Sequence, residues 1–435
     1  MALSKQPYKG ARDFYPSDKR LQKYMFDIWR QVCERYGYEE YDAPILEPLE
    51  IYLAKTGEEI VNEQTYVFED RGKRKVVIRP EMTPTVSRMV AAQRQELAYP
   101  LRWYSIPNLW RYERPQRGRL REHWQLNVDL FGVEGVEAEL EMISMADAMF
   151  KAFGASSDMY EIRLNSRKLV DEALASYVGL DKQEAHDVAK LIDKKAKMER
   201  GKFISAIDGA LSSKSRQGGA AEKLLALLDV KNLKKLPAEL AKHPSVSEIE
   251  ALLNMLSNGG IKNARFDIGL MRGFDYYTDI IFEVFDKHPD NNRSMLGGGR
   301  YDGLVGLFGV PPVPTVGFGW GDVTLANFLE LHRLMPELKP ETDAYVALAG
   351  DIQAAAAKPV AELRQLGINL AVDFSGRKLG DQLKTASKKS IRYVLVIGES
   401  ELKTGKYNLK NLQSGKEQSL SLKAVAKTLK EASQQ

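Results

Sequence analysis

Five arginines crowd one short stretch of this chain: Arg111, Arg114, Arg117, Arg119 and Arg121 surround Gly118. A guanidinium is permanently charged and grips an oxyanion through paired N–H donors, so such density suits phosphate. Directly afterwards the residues alternate, with His123, Gln125, Asn127 and Asp129 on one face of a predicted strand and Trp124, Leu126, Val128 and Leu130 on the other. A strand apolar behind and polar in front suits the floor of a polar pocket. The plain alternative is an amphipathic hairpin with a solvated, charged turn. Two further runs carry chemistry-bearing side chains: Arg272-Gly273-Phe274-Asp275-Tyr276-Tyr277, and Gly297-Gly298-Gly299-Arg300-Tyr301-Asp302. Three consecutive glycines let backbone approach a ligand or cross a tight turn. No Lys-Ser/Thr signature opens a helix after them, which argues against a P-loop.

These residues need elements to hold them. The stretch from Leu101 to Phe131 reads as two strands joined by the charged loop. Residues 65–79 read as a hairpin turning at Arg71-Gly72, and Pro80 halts its ladder, so that Glu81 and Thr83 project from a loop. Ser17 or Asp18 caps a helix with Leu21, Met25, Ile28 and Val32 at helical spacing, stopped by Gly37. A helix over 137–153 carries Met142, Met145, Ala146, Met149 and Phe153 as a core stripe. Strands are expected at 160–164, 266–270 and 280–285, with the three glycines in a loop. From about Ser166 to Asn258 the chain becomes rich in Ala, Leu, Lys and Asp; we read a helical insertion interrupted by a flexible Ser212–Gly219 stretch. His186 and His243, within it, lack ligand partners at useful spacing. Beyond a linker at Pro336–Pro340, apolar strands alternate with helices and predict a parallel sheet covered on both faces. Its lysines, among them Lys378, Lys384, Lys388, Lys403 and Lys410, are most simply a solvated surface, and fit attraction to an RNA backbone only together with an RNA-linked catalytic core.

The composition sets bounds. A chain of 435 residues points to two or three domains, and 44% apolar with 28% charged residues is ordinary for a globular protein. A net charge of +4 permits a nucleic-acid partner without requiring one. One cysteine, Cys33, excludes a disulfide framework and a cysteine-rich zinc site, and fits the cytosol. No apolar run of about 18 residues occurs, so no membrane insertion is expected.

The run Arg111-Tyr112-Glu113-Arg114-Pro115-Gln116-Arg117-Gly118-Arg119 is similar to motif 2 of the class II aminoacyl-tRNA synthetases, in the form found in histidyl-tRNA synthetases. The Arg272–Tyr277 run resembles that family's RG(L/F)DYY signature, and Gly297–Asp302 its GGGRYD signature. Val313–Phe328 resembles motif 3, although Thr324 stands where the family carries an arginine on the γ-phosphate of ATP. Asp129 likewise replaces the more usual glutamate, and His123 the aromatic that stacks on adenine.

The resemblance implies an α+β fold: a class II antiparallel-sheet catalytic core (residues 1–165 and 259–333), the helical insertion (166–258) and an α/β anticodon-binding domain (341–435). It implies histidine binding by Glu81, Met82, Thr83, Arg111, Gln125, Asp129, Arg272, Tyr276 and Tyr277. ATP binding falls to Arg111, Glu113, Arg119, His123, Gln125, Arg272, Gly319 and Gly321, with Arg272 and Arg111 catalytic. Arg114, Gln116 and Arg117 meet the tRNA acceptor end. The expected partners are tRNA(His), L-histidine, ATP with phosphate-bound Mg²⁺, and a second copy of the chain, in the cytoplasm; no protein metal site and no permanently bound cofactor are expected. Two other readings share the core: a histidine-sensing regulatory subunit of ATP phosphoribosyltransferase, and an RNA-binding sensor.

Overall fold

The computed structural model describes residues 3–53, 64–195, 198–271, 276–291 and 293–433. Arg272, Gly273, Phe274 and Asp275 therefore lie outside the described residues. The chain forms two units, residues 1–13 with 22–335, and residues 14–21 with 336–435.

The first unit contains β1 (Glu39–Glu40), β2 (Leu46–Pro48), β3 (Tyr66–Glu69) and β4 (Lys75–Ile78). Around the arginine run come β5 (Leu101–Ser105), β6 (Asn108–Trp110) and β7 (Glu122–Phe131). Then follow β8 (Tyr160–Ser166), β9 (Ala264–Phe266), β10 (Ile280–Asp286), β11 (Ser294–Arg300) and β12 (Thr315–Gly321). Among the described residues nine strands make one sheet, in the order β1-β5-β7-β12-β11-β10-β8-β9 with β6 on β7. Every pairing from β5 to β8 is antiparallel, and only the outer pairs β1/β5 and β8/β9 are parallel. The small sheet β2-β4-β3 lies apart from this path.

The alternation in β7 explains its central place. Leu126, Val128 and Leu130 are buried behind the sheet, where Trp320 of β12 packs at 4.4 Å from Phe150 on the helix Glu137–Ala152. The expected stripe of Met142, Met145, Ala146, Met149 and Phe153 is buried. Burying these large apolar side chains contributes about 1.5–3 kcal/mol each and leaves the polar face of β7 pointing the other way.

Several local expectations need correction. The three glycines are not in a loop but within β11, because flanking strands on both sides supply hydrogen bonds that a glycine run alone does not predict. The strand expected at 266–270 ends at Phe266. The Ser212–Gly219 stretch is not a flexible break: it holds a helix, Ser213–Gln217, whose Ser215 N–H donates to the Ser212 hydroxyl. The Glu184 carboxylate accepts from the Ser212 N–H at 2.7 Å and from the Ser215 hydroxyl at 2.9 Å, and these donors pull it down to about 2. His243 caps the helix Pro244–Asn258 through Nδ1, which accepts from Ser245 N–H. The insertion helices share a core of their own, including Leu169, Val188, Phe203, Leu224 and Ile249.

In the second unit β13 (Ala344–Ala349), β14 (Leu370–Val372), β15 (Tyr393–Gly398), β16 (Tyr407–Asn411) and β17 (Glu417–Leu420) form a sheet ordered β14-β13-β15-β16-β17. It is mixed rather than parallel throughout: β16 and β17 run antiparallel. The polar, largely exposed β17 has no apolar alternation to announce it, and a hairpin turn with Gly415 at φ +71° sets its direction. Among the described residues no helix is long and apolar enough to cross a membrane.

Candidate active site

A cleft of about 240 Å³ opens on the polar face of the large sheet. Its floor combines Gln125 of β7 with Gly319 and Gly321 of β12 and Gly297 of β11. The sequence Gly317-Phe318-Gly319-Trp320-Gly321 is a strand pattern in which glycine alternates with large apolar residues. Phe318 and Trp320 face the core, and the glycines leave the front face bare. A Cβ on Gly319 would stand 2.7 Å from Gln125 Nε2, and one on Gly317 would stand 2.4 Å from Asp129 Oδ1 and 2.6 Å from the Val128 carbonyl. The missing side chains are the room in which the β7 groups lie.

At one end the arginine loop supplies positive charge. Arg111 Nε donates to the Pro80 carbonyl at 2.8 Å, and Arg119 pairs with Glu113 at 2.8 Å; all three charged groups line the cleft. His123 lines it too. Burial and the neighbouring charges of Arg111, Arg12 and Arg119 hold its imidazole down to about 3, so the ring is neutral. Arg114, Gln116 and Arg117 are exposed on the loop, where Gln116 and Arg119 pair through their backbones. Arg121 is the exception in the cluster. It is buried outside the cleft, with its guanidinium 3.9 Å from the Tyr112 ring and donating to the Tyr8 hydroxyl at 3.0 Å.

Carboxylates and tyrosines gather along the same face. Glu81 is buried, and its Oε2 accepts from the Tyr276 hydroxyl at 3.1 Å while its carbonyl accepts from Tyr52 at 3.2 Å. Met82 is buried just before the helix Thr83–Ala92, so Thr83 sits in a helical first turn and not on a loop. Asp129 Oδ1 accepts a short hydrogen bond from the Tyr301 hydroxyl. Burial pushes the Asp129 carboxyl up to about 7, against the opposing pull of the Tyr301 and Tyr41 hydroxyls. Tyr276 packs 4.9 Å from Tyr277 and 5.7 Å from Tyr301. Tyr277 in turn covers Gly299, where a Cβ would stand 2.8 Å from its ring.

Several participants escape a reading of the sequence. Tyr301 carries the described hydrogen bond to Asp129; its only signal was its place after the glycines and Arg300. Arg300 itself faces the core, where it forms a buried two-pronged pair with Glu139 at 2.7 and 2.8 Å. Arg12 reaches Asp322 at 2.7 Å, and Asp322 also accepts from the Trp124 N–H at 3.0 Å. Glu283 of β10 adds a second carboxylate to the lining. Thr324 lines the cleft, but its hydroxyl is turned onto backbone, 2.9 Å from both the Met295 and Gly321 carbonyls.

Residues 10–321 match the family model described as histidyl-tRNA synthetase, and residues 343–432 match that of an anticodon-binding domain. A histidine–tRNA ligase of Leptospira biflexa is 44% identical over 99% of this chain and 98% of its own length. One from Haloarcula marismortui is 36% identical over 96% of this chain and 95% of its own. The crystal structure of histidyl-tRNA synthetase from Nostoc sp. PCC 7120 superposes with a TM-score of 0.81 at 24% identity, covering 99% of this chain and all of that one, which speaks for the fold. With a family model over most of its length and full-length relatives well above 30% identity, the chain belongs to the histidyl-tRNA synthetases.

Proposed function

We propose that the chain ligates L-histidine to tRNA(His) in two steps through a histidyl-adenylate, in the cytosol and as a homodimer. The observation that carries this reading is a single glycine-floored sheet face bearing cations at one end and buried carboxylate–tyrosine pairs further along. Asp129 follows Gln125 by four residues on β7, roughly 13 Å at strand rise. That span suits an amino acid lying against an adenylate.

In the first step a carboxylate oxygen of histidine attacks the α-phosphorus of ATP. The bond to the bridging oxygen breaks and pyrophosphate leaves. Like charges oppose the approach, and guanidiniums aimed at the developing oxyanion relieve it without a general base. Arg111 and Arg272 take this role. Glu81 and Thr83 accept from the α-ammonium, with Met82 buried between them and Gln125 nearby. Asp129 and Tyr277 hydrogen-bond the two imidazole nitrogens, with Tyr276 walling the ring. The neutral His123 stacks on adenine, Glu113 holds the adenine amino group or a metal-bound water, and Gly319 and Gly321 let the nucleoside lie against backbone. Arg119 meets the outer phosphates. ATP enters as its Mg²⁺ complex, and the cleft carboxylates Glu113 and Glu283 are hard oxygen donors that suit this ion. In the second step a terminal ribose hydroxyl of the tRNA attacks the histidyl carbonyl and AMP leaves, with Arg114, Gln116 and Arg117 on the acceptor end. A site pairing both polar ring nitrogens rejects analogues that lack them by factors of about 10⁴ or more.

Histidine-dependent ATP–pyrophosphate exchange, run against all twenty amino acids, tests the proposal. Exchange with histidine alone is expected. Histidine binding without exchange would transfer the chain to the regulatory-subunit reading, which the match of residues 343–432 to an anticodon-binding domain already disfavours.

A further inference from the structure

Among the described residues, the wall of the cleft built by Thr324 and the start of β11 carries no positive charge. Its lining there is Glu283, Ser294, Met295, Val323 and Thr324. Thr324 offers little to a ligand, since its hydroxyl is engaged by two backbone carbonyls. Across the cleft the Arg119 charge is shared with Glu113. A polyphosphate tail would therefore meet a carboxylate on this side and a half-neutralised guanidinium on the other.

A cation adjoins this wall in the chain. Arg293 immediately precedes Ser294, the first residue of β11, and lies two residues before the carbonyl to which Thr324 is bonded. Its side chain is exposed and reaches the arginine loop, where Nη2 donates to Gln116 Oε1 at 2.9 Å. Gln116 pairs by backbone with Arg119, so the Arg293 guanidinium joins the β11 edge to the segment that carries Arg119. Among the described residues Arg293 forms no ion pair, and its one hydrogen bond goes to a neutral amide oxygen. An uncompensated guanidinium bonded to the arginine loop beside the cleft is free to exchange that weak contact for a charged one. The helix Asp322–Leu331, which carries Thr324, lies against the arginine loop: a Cβ on Gly118 would stand 3.5 Å from Asn327 Nδ2, one turn beyond Thr324.

We propose that Arg293 binds the outer phosphates of ATP, supplying from just before β11 the charge that position 324 does not. The assignment rests on ATP being the ligand of this cleft. It is a nucleotide-binding role, directed at the β- and γ-phosphates and away from the adenosine.

The test is calorimetric binding of ATP and of AMP to the full-length chain and to Arg293→Ala and Arg293→Lys. In Arg293→Ala, ATP binding weakens by roughly 10- to 100-fold, the range for a charge-assisted hydrogen bond, while AMP and histidine bind as before. Arg293→Lys regains part of the loss, because a point charge replaces the fork. Unchanged ATP affinity in Arg293→Ala would overturn the assignment, as would equal weakening of ATP and AMP. Pyrophosphate exchange by the unsubstituted chain separates the two readings: ATP bound through Arg293 without exchange would remove the proposed catalysis and leave the phosphate contact standing.

Discussion

Tyr276 and Glu81 are joined by a buried hydrogen bond of 3.1 Å, phenol to carboxylate, across 195 residues of chain. The pair orients Glu81 Oε2 in the region proposed for the α-ammonium. Tyr276→Phe keeps the ring, which packs on Tyr277 and Tyr301, and removes only the donor. A hydrogen bond to a charged group contributes about 1.5–3 kcal/mol, so the KM for histidine should rise by about tenfold or more. The KM for ATP should stay near its starting value. Steady-state exchange kinetics with each substrate varied in turn decide this.

Asp129 makes stability depend on pH with a definite sign. Its folded carboxyl titrates near 7, above the ordinary value of 3.8, because burial disfavours the charge. Between those values the folded chain holds a proton that the unfolded chain has lost, so this group's contribution to stability falls as pH rises from about 4 to about 7 and then levels. Asp129→Asn removes that contribution. The Tm of the variant minus that of the unsubstituted chain should therefore become more positive across this window and stay flat above it. A difference independent of pH would refute the assignment.

The glycines of β12 separate packing from binding. Gly317→Ala drives a Cβ to 2.6 Å from the Val128 carbonyl and 2.4 Å from Asp129 Oδ1. Backbone cannot yield there, and a loss of about 1–3 kcal/mol of stability is expected. Gly319→Ala meets only the end of the Gln125 side chain, at 2.7 Å, which can swing aside. That variant should melt near the parent but bind substrate more weakly. Denaturant unfolding beside ligand titration distinguishes the two substitutions.

Arg272 is predicted to carry the α-phosphate together with Arg111. Arg272→Ala should reduce histidyl-adenylate formation by about 10² to 10³ or more, the usual loss on removing an oxyanion donor, and leave the melting curve unchanged. Retained single-turnover adenylate formation would sink this role.

Arg12 balances the buried Asp322, and among the described residues its removal leaves that carboxylate with backbone donors only. Arg12→Ala should cost about 2 kcal/mol in unfolding free energy, less than a fully unpaired buried charge. Asp322→Asn in the same background should recover part of it, a comparison made by a double-mutant cycle.

Much of the site is legible along the chain because its signals are local. The period-two pattern of 122–130 assigns Gln125 and Asp129 to one face before any partner strand is known, and the same period in 317–321 puts the glycines opposite large core residues. The helix stripe of 142–153 and the arginine density around Gly118 are likewise properties of adjacent residues. Other features depend on what the sheet brings together. Tyr301 meets Asp129 across 172 residues because β7, β12 and β11 pair in one particular register, and Arg12 meets Asp322 across 310 where the Gly10 carbonyl, accepting from the Arg121 and Glu122 N–H groups, ties the N-terminal segment to the start of β7. Neither spacing nor residue type selects one tyrosine among three. The same holds for charge: the carboxyl of Asp129 and the imidazole of His123 depart from their ordinary values through burial, which depends on the surrounding packed structure and is absent from any isolated strand. Residue pattern decides which groups share a face; long-range packing decides which of them touch, and in what protonation state.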